Sequence, residues 1–138
     1  MTNKTFVRGS VRRSVRIKRS AEDVWEVVGD PKRITEWFPG IVSAKVDGDR
    51  RVVTTVSGLP MPEQILTIDH SLRRFQYRIT TPIFKEHLST IDVIDMEDET
   101  ALAIYSVDAE PAMMAIVIGA SGGNALEQLK KIMEVEQP

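Results

Sequence analysis

Two histidines, His70 and His87, are the side chains of this chain whose ordinary pKa lies close to neutrality; His87 is a candidate general base, whereas His70, where a strand meets a turn, reads as surface. Neither has another metal-ligating partner at close spacing, so they do not read as a metal site. The sequence holds no cysteine, which removes disulfides, thiolate metal sites and cysteine nucleophiles together. It has no nucleophile elbow, P-loop or dinucleotide fingerprint. The one glycine-rich piece, Gly119-Ala120-Ser121-Gly122-Gly123, follows an apolar run of helical spacing rather than a strand. No cofactor and no metal are expected from these patterns. The small residues of that piece have two readings: they let a helix lie close to a sheet, or they clear room for a cavity beneath it.

Charge is distributed unevenly around a net −2. Residues 1–19 carry seven basic groups (Lys4, Arg8, Arg12, Arg13, Arg16, Lys18, Arg19) and no acid, whereas residues 86–110 carry eight acids and neither Lys nor Arg. A basic arm can bind nucleic acid or an anionic membrane. No aromatic residue is interleaved with the basic ones between Val7 and Arg19, so a stacking platform for bases is missing. The favoured reading pairs this basic strand with acidic strands across the solvent face of one sheet, and no nucleic-acid partner is expected. The start of the chain, Met1–Ser10, lacks the apolar core of a signal peptide. The longest apolar run, Ala112–Ala120, is far shorter than the ~20 residues of a membrane span. A cytoplasmic location without a membrane span is the expectation.

The elements that must position any chemistry follow from periodicity. Val11–Arg19 alternates β-branched and basic residues and reads as a half-buried strand. Ser20 is a good N-cap for a helix ending near Gly29, with Glu22 and Asp23 in its first turn. Asp30-Pro31 opens a second short helix through Trp37. Six strands then follow at period two: Ile41–Asp47, Arg50–Ser57, Glu63–His70, Arg73–Thr81, Glu86–Asp95 and Thr100–Asp108. The first two flank the hairpin turn Gly48-Asp49. Pro111–Glu134 is a long helix with Met113, Ile116, Val117, Leu126, Leu129 and Ile132 at helical spacing. The expected fold is α+β, one domain over residues 1–138. In it a curved seven-stranded antiparallel sheet wraps around the long C-terminal helix, with two short helices after the first strand.

This order, with Ser20–Trp25, Asp30-Pro31 and Trp37-Phe38-Pro39-Gly40 at their spacing, resembles the START-like, polyketide-cyclase-like superfamily of helix-grip proteins. That group includes the birch-pollen-allergen proteins and the plant abscisic-acid receptors. The segment Arg51–Pro60, ending in Ser57-Gly58-Leu59-Pro60, is similar to the strand and mobile gate loop of those receptors. The resemblance implies a pocket lined by Arg51, Glu63, His87 and Ser89, with His87 standing where the receptors carry tyrosine. Other features depart from the receptors. Their pocket lysine falls near Gly40, a second pocket glutamate falls on Ala103, and their His-Arg-Leu latch has no counterpart in Pro82–Lys85. Abscisic acid is therefore not the expected ligand.

What the resemblance implies is an internal cavity of at least ~300 Å³, the lower end for small-molecule sites, holding a small hydrophobic or amphipathic molecule. Its walls would comprise Trp37, Phe38, Val53, Phe75, Tyr77, Ile79, Tyr105 and Val117, with Ser121 on the helix. A gate at Ser57–Pro62, including Leu59 and Pro60, and the loop Thr81–Lys85 would frame the mouth. The alternative is a polyketide cyclase or dehydratase in which His87 and Glu63 exchange protons and Arg51 stabilises an enolate. A carrier and an enzyme, and a monomer and a homodimer, all stay open at this level.

Overall fold

The computed structural model describes residues 8–135; Lys4 of the basic arm and the first seven residues as a whole lie outside that range, as do the last three. Strand β1 (Gly9–Ile17) leads into helix α1 (Ala21–Val28), a 3-10 turn at Pro31–Arg33 and the single-turn helix α2 (Ile34–Trp37). Six strands follow, β2 (Ile41–Asp47), β3 (Arg50–Thr55), β4 (Pro60–Asp69), β5 (Arg74–Ile79), β6 (Glu86–Asp95) and β7 (Ala101–Glu110), then helix α3 (Ala112–Met133). All seven strands form one antiparallel sheet in the order β1-β7-β6-β5-β4-β3-β2. This is the expected helix-grip α+β architecture.

Local chemistry accounts for the element boundaries. Ser20 accepts the Asp23 backbone N–H at 3.1 Å, the N-cap bond that starts α1. The Asp23 carboxylate turns instead to Arg19, 3.0 Å away, so only half of a capping box forms. Gly48 supplies a positive φ of +61° for the two-residue β2–β3 turn. Bulges between Ile41 and Ser43 and between Ile65 and Thr67 bend the sheet and strengthen its twist.

The basic β1 meets acids near both its ends, as its charge pattern suggested. Arg8 lies 2.6 Å from Glu86, and Arg16 pairs with Asp98.

Several strand ends shift by one or two residues, and the largest departure is the start of β4. Strand β4 begins at Pro60 rather than Glu63, because Pro60, Met61 and Pro62 pair with Thr54, Val53 and Val52 of β3. On the other side, β5 ends at Ile79 opposite Glu63. Beyond Glu63 the β5 side offers only the Thr80 N–H, which donates to the Pro62 carbonyl at 3.1 Å, and prolines that donate nothing are tolerated at such a strand end. The segment read as a gate, Ser57–Pro62, contracts to the turn 56–59, closed by the Thr55 N–H on the Leu59 carbonyl at 3.0 Å.

Helix α3 crosses the concave face with its small residues against the sheet. A Cβ added at Gly119 would stand 2.5 Å from Val11 Cγ1, and one at Gly122 would stand 2.8 Å from Tyr105 Cδ1. Ala101, Ala103 and Ala109 of β7 are likewise buried on the inner side of the sheet. Of the two readings of the Gly119–Gly123 piece, close approach is the one realised. Gly122→Ala should therefore lower stability by about 1–3 kcal/mol through overpacking against a fixed ring. Gly123→Ala should raise it by roughly 0.5–1 kcal/mol through helix propensity, since its neighbour is the flexible Arg13 side chain. Urea midpoints moving the same way for both variants would contradict this packing.

Candidate functional site

The alternation of β3 sends Arg50 to solvent and Arg51 inward, and the β3–β4 register sets Arg51 directly opposite Glu63. Both are buried, at 2% and 5% exposure. Arg51 Nε donates to Glu63 Oε1 at 2.7 Å, and its Nη1 donates to the Pro31 carbonyl at 3.1 Å. The guanidinium carbon lies 5.2 Å and 5.1 Å from the ring centroids of Phe75 and Tyr77, within cation–π range. Burial pushes the Glu63 carboxyl above its ordinary pKa, and the charge and hydrogen bond of Arg51 offset part of that rise.

Strand β5 carries the row onward. Tyr77 stands opposite Ser89 in the β5–β6 register, and its hydroxyl is hydrogen-bonded to that of Tyr105 on β7. Burial raises both phenols, Tyr77 to about 12 and Tyr105 well above its ordinary value. His87 and Ser89 share the inner face of β6. His87 Nδ1 accepts the Ile79 backbone N–H at 2.8 Å, and Nε2 lies 2.8 Å from Ser89 Oγ. Burial lowers the His87 pKa to about 4, so the ring is neutral at pH 7. With Nδ1 accepting from the backbone, the single ring proton sits on Nε2 and is donated to Ser89. Such a histidine has no lone pair free to take a substrate proton, so the arrangement does not support His87 as a general base.

The four expected residues form two pairs, Arg51 with Glu63 on β3 and β4 and His87 with Ser89 on β6, with Tyr77 of β5 beside both, and of the four only Arg51 lines a cavity. Phe75, Tyr77 and Tyr105 line an enclosed cavity with Arg51, and Trp37 and Asp30 close it from the short helical segment. Val53 and Ile79 are core residues, and Phe38 is half-buried with its ring 6.2 Å from that of Tyr105. Leu59, Pro60 and Val117 lie elsewhere, on the exposed turn, at the start of β4 and on the outer side of α3. Ser121 Oγ is turned back to the Val117 carbonyl of its own helix, at 3.3 Å. These four are not cavity walls: Leu59 and Pro60 stand at the exposed β3–β4 connection, and α3 presents Ala115, Gly119 and Gly122 to the sheet rather than Val117 or Ser121.

The cavity itself is about 10 Å³, far below the expected volume, because close seating of α3 lets aromatic side chains fill the interior. The parts of the site not foreseen are Asp30 and the Pro31 carbonyl; a backbone acceptor leaves no mark in residue type. His70, read as surface, is exposed but accepts the Trp25 indole N–H at 3.0 Å on Nδ1, which ties α1 to the β4–β5 turn.

A curved antiparallel sheet gripping a C-terminal helix, with a polar row at its centre, defines a protein of the helix-grip class. The sequence matches the family described as Polyketide cyclase / dehydrase and lipid transport over residues 8–134, and the chain belongs to that family. No curated protein matches the sequence significantly. Among solved structures, an uncharacterised protein from Bacillus thuringiensis is 24% identical with a TM-score of 0.84, covering 91% of this chain and 98% of that one. Norcoclaurine synthase from Thalictrum flavum is 15% identical with a TM-score of 0.76, covering 99% and 100%. A START superfamily protein from Mycobacterium smegmatis is 13% identical with a TM-score of 0.76, covering 91% and 97%. At these identities the likeness is one of fold. Among the described residues no helix is long and apolar enough to cross a membrane.

Proposed function

We propose that this protein binds a small apolar molecule bearing a polar head, held with its head against Arg51 and Glu63. The observation that carries this reading is a charged pair, a histidine, a serine and two phenols buried together in an otherwise apolar core. Replacing such an ion pair by apolar residues is often neutral or stabilising, so folding alone gives little reason for one. The family supports the same direction.

In the closed arrangement described above, the interior holds no room for the body of such a ligand, so binding requires α3 to separate from the sheet. The N-terminal half of α3 suits that role. It buries Ala115, Gly119 and Gly122 and packs Met114 and Ile118 only partly against the core, whereas the C-terminal half buries Ala125, Leu126, Leu129 and Met133. Hydrophobic stabilisation scales with apolar area, so lifting the first half costs much less than lifting the second. Sequestration or transport, with the turn 56–59 at the entrance, is the activity that fits a neutral, base-free polar row.

Titration with an amphipathic naphthalene fluorophore tests the assignment. Arg51→Met should weaken binding by about 1.5–3 kcal/mol, the range for hydrogen bonds to charged groups. Arg50→Met, on the exposed face of the same strand, should leave it unchanged. Equal effects at the two positions would remove the polar anchor. Native mass spectrometry of protein isolated from its own cell should reveal a co-purified small molecule.

A further inference from the structure

Two buried N–H groups in the core, Arg51 Nη2 and Trp37 Nε1, lack an acceptor among the described residues. Both side chains line the same enclosed cavity, together with Asp30, Phe75, Tyr77 and Tyr105. Trp37 is 3% exposed and Arg51 2%, so neither donor is satisfied by bulk water. Leaving a buried donor unpaired is costly, and a donor on a charged group more so. The cavity volume of about 10 Å³ is close to the ~10–15 Å³ that one water-sized oxygen requires. The third unpartnered buried atom, Thr81 Oγ1, belongs to the β5–β6 loop and does not line this cavity.

The charge of the site selects among oxygens. The ionisable groups that line it are Arg51 on β3, Tyr77 on β5, Tyr105 on β7 and Asp30 before the 3-10 turn; behind them Glu63 on β4 pairs with Arg51, and His87 on β6 lies against the Tyr77 ring. Arg51 is already matched by Glu63, Asp30 is a further acid, and His87 and both phenols are neutral at pH 7. A second buried carboxylate beside these acids would have to take up a proton to be accommodated. An uncharged acceptor has no such requirement, and neither Arg51 nor Trp37 can accept a hydrogen bond in return.

We propose that Arg51 Nη2 and Trp37 Nε1 form a two-donor seat for the uncharged carbonyl oxygen of a ring-bearing apolar ligand, flanked by Phe75, Tyr77 and Tyr105. This inference rests on the ligand-binding reading above and names the head group that reading leaves open. The oxygen occupies the small cavity, and the ring system extends from it toward α3.

Three probes of one shape test it: 2-acetylnaphthalene, 2-ethylnaphthalene and 2-naphthoate, titrated into the whole chain by calorimetry and by NMR of the two indole N–H groups. The ketone should bind at least about tenfold more tightly than the hydrocarbon, the contribution of hydrogen bonds from one charged and one neutral donor. Its binding should shift the Trp37 indole N–H downfield, while Trp25, already bonded to His70, serves as the reference. In Trp37→Phe the ketone's advantage over the hydrocarbon should fall several-fold, with hydrocarbon affinity little changed. At pH 7.5 the naphthoate should bind more weakly than the ketone and should gain affinity as pH is lowered. Equal affinity of ketone and hydrocarbon with an unmoved Trp37 signal overturns this seat while leaving the ligand-binding reading intact. A naphthoate that binds tightest at pH 7.5 overturns the uncharged acceptor in favour of an anion. Failure of all three probes to bind overturns both readings.

Discussion

Glu63→Leu should destabilise the fold by about 3–5 kcal/mol, the cost of leaving a buried charge without its partner. Arginine side chains keep their proton in proteins, so the charge left behind cannot be shed as a lysine's can. With Glu63 gone, the remaining bond of Arg51 is to the Pro31 carbonyl, 3.1 Å from Nη1, the faces of Phe75 and Tyr77 stay beside it, and Asp30 lines the same cavity without an ion pair to it. None of these supplies a paired counter-charge. The double variant Glu63→Leu with Arg51→Met removes both charges and should recover most of the loss. Paired buried ions of this kind are commonly worth no more than apolar groups of similar volume. Denaturant unfolding of the two single variants and the double one forms a thermodynamic cycle. A double variant as unstable as the sum of the singles would show that the two side chains act independently, and the pair would not be the organising contact of the core.

The contrast between Arg50 and Arg51 shows how far the sequence reaches. Period two places adjacent residues of a strand on opposite faces, so identical side chains at these positions have opposite environments. That part was legible, as was the strand order, because both follow from a meander with short turns; the set Arg51, Glu63, His87 and Ser89 came from the family resemblance, and only Arg51 of the four reaches the cavity. The interior volume was not legible. Gly119 and Gly122 are visibly small, but whether a small residue makes room or removes it depends on which neighbour moves into the space. Here Val11 of β1 and the Tyr105 ring occupy it, and the helix descends until the cavity nearly closes. The extension of β4 to Pro60 was hidden for a related reason. Proline marks where a strand lacks a donor, yet only the shorter length of β5 shows that no donor is needed there. The seat between Arg51 and Trp37 depends on a turn at Pro31 that brings a carbonyl to Nη1 and leaves Nη2 free of one, a matter of backbone path rather than residue type.

Acidification should reveal His87. Burial lowers its folded-state pKa to about 4, against ~6.5 in an unfolded chain, so the unfolded chain holds the proton more tightly. The stability that the neutral ring contributes is complete above pH ~6.5, is lost progressively as pH falls toward 4, and changes no further below that. The full loss corresponds to about 3 kcal/mol. Glu63 acts with the opposite sign, because its raised pKa means that the fold takes up a proton above the ordinary carboxylate range and gains stability as pH falls there. The wild-type curve alone therefore mixes two opposed titrations in neighbouring windows. His87→Gln separates them, since Gln Oε1 can accept the Ile79 N–H and its amide can donate to Ser89 without adding a proton-binding group. Glu63, His70 and every other ionisable group are common to both proteins and cancel in the difference. Between pH 7 and pH 4 the wild type should lose about 3 kcal/mol relative to His87→Gln in urea unfolding. The His87 ring carbons should show no NMR titration above pH ~5. Parallel stability curves, or a ring that titrates near 6.5, would place His87 in contact with water and dissolve the neutral donor chain from His87 to Ser89.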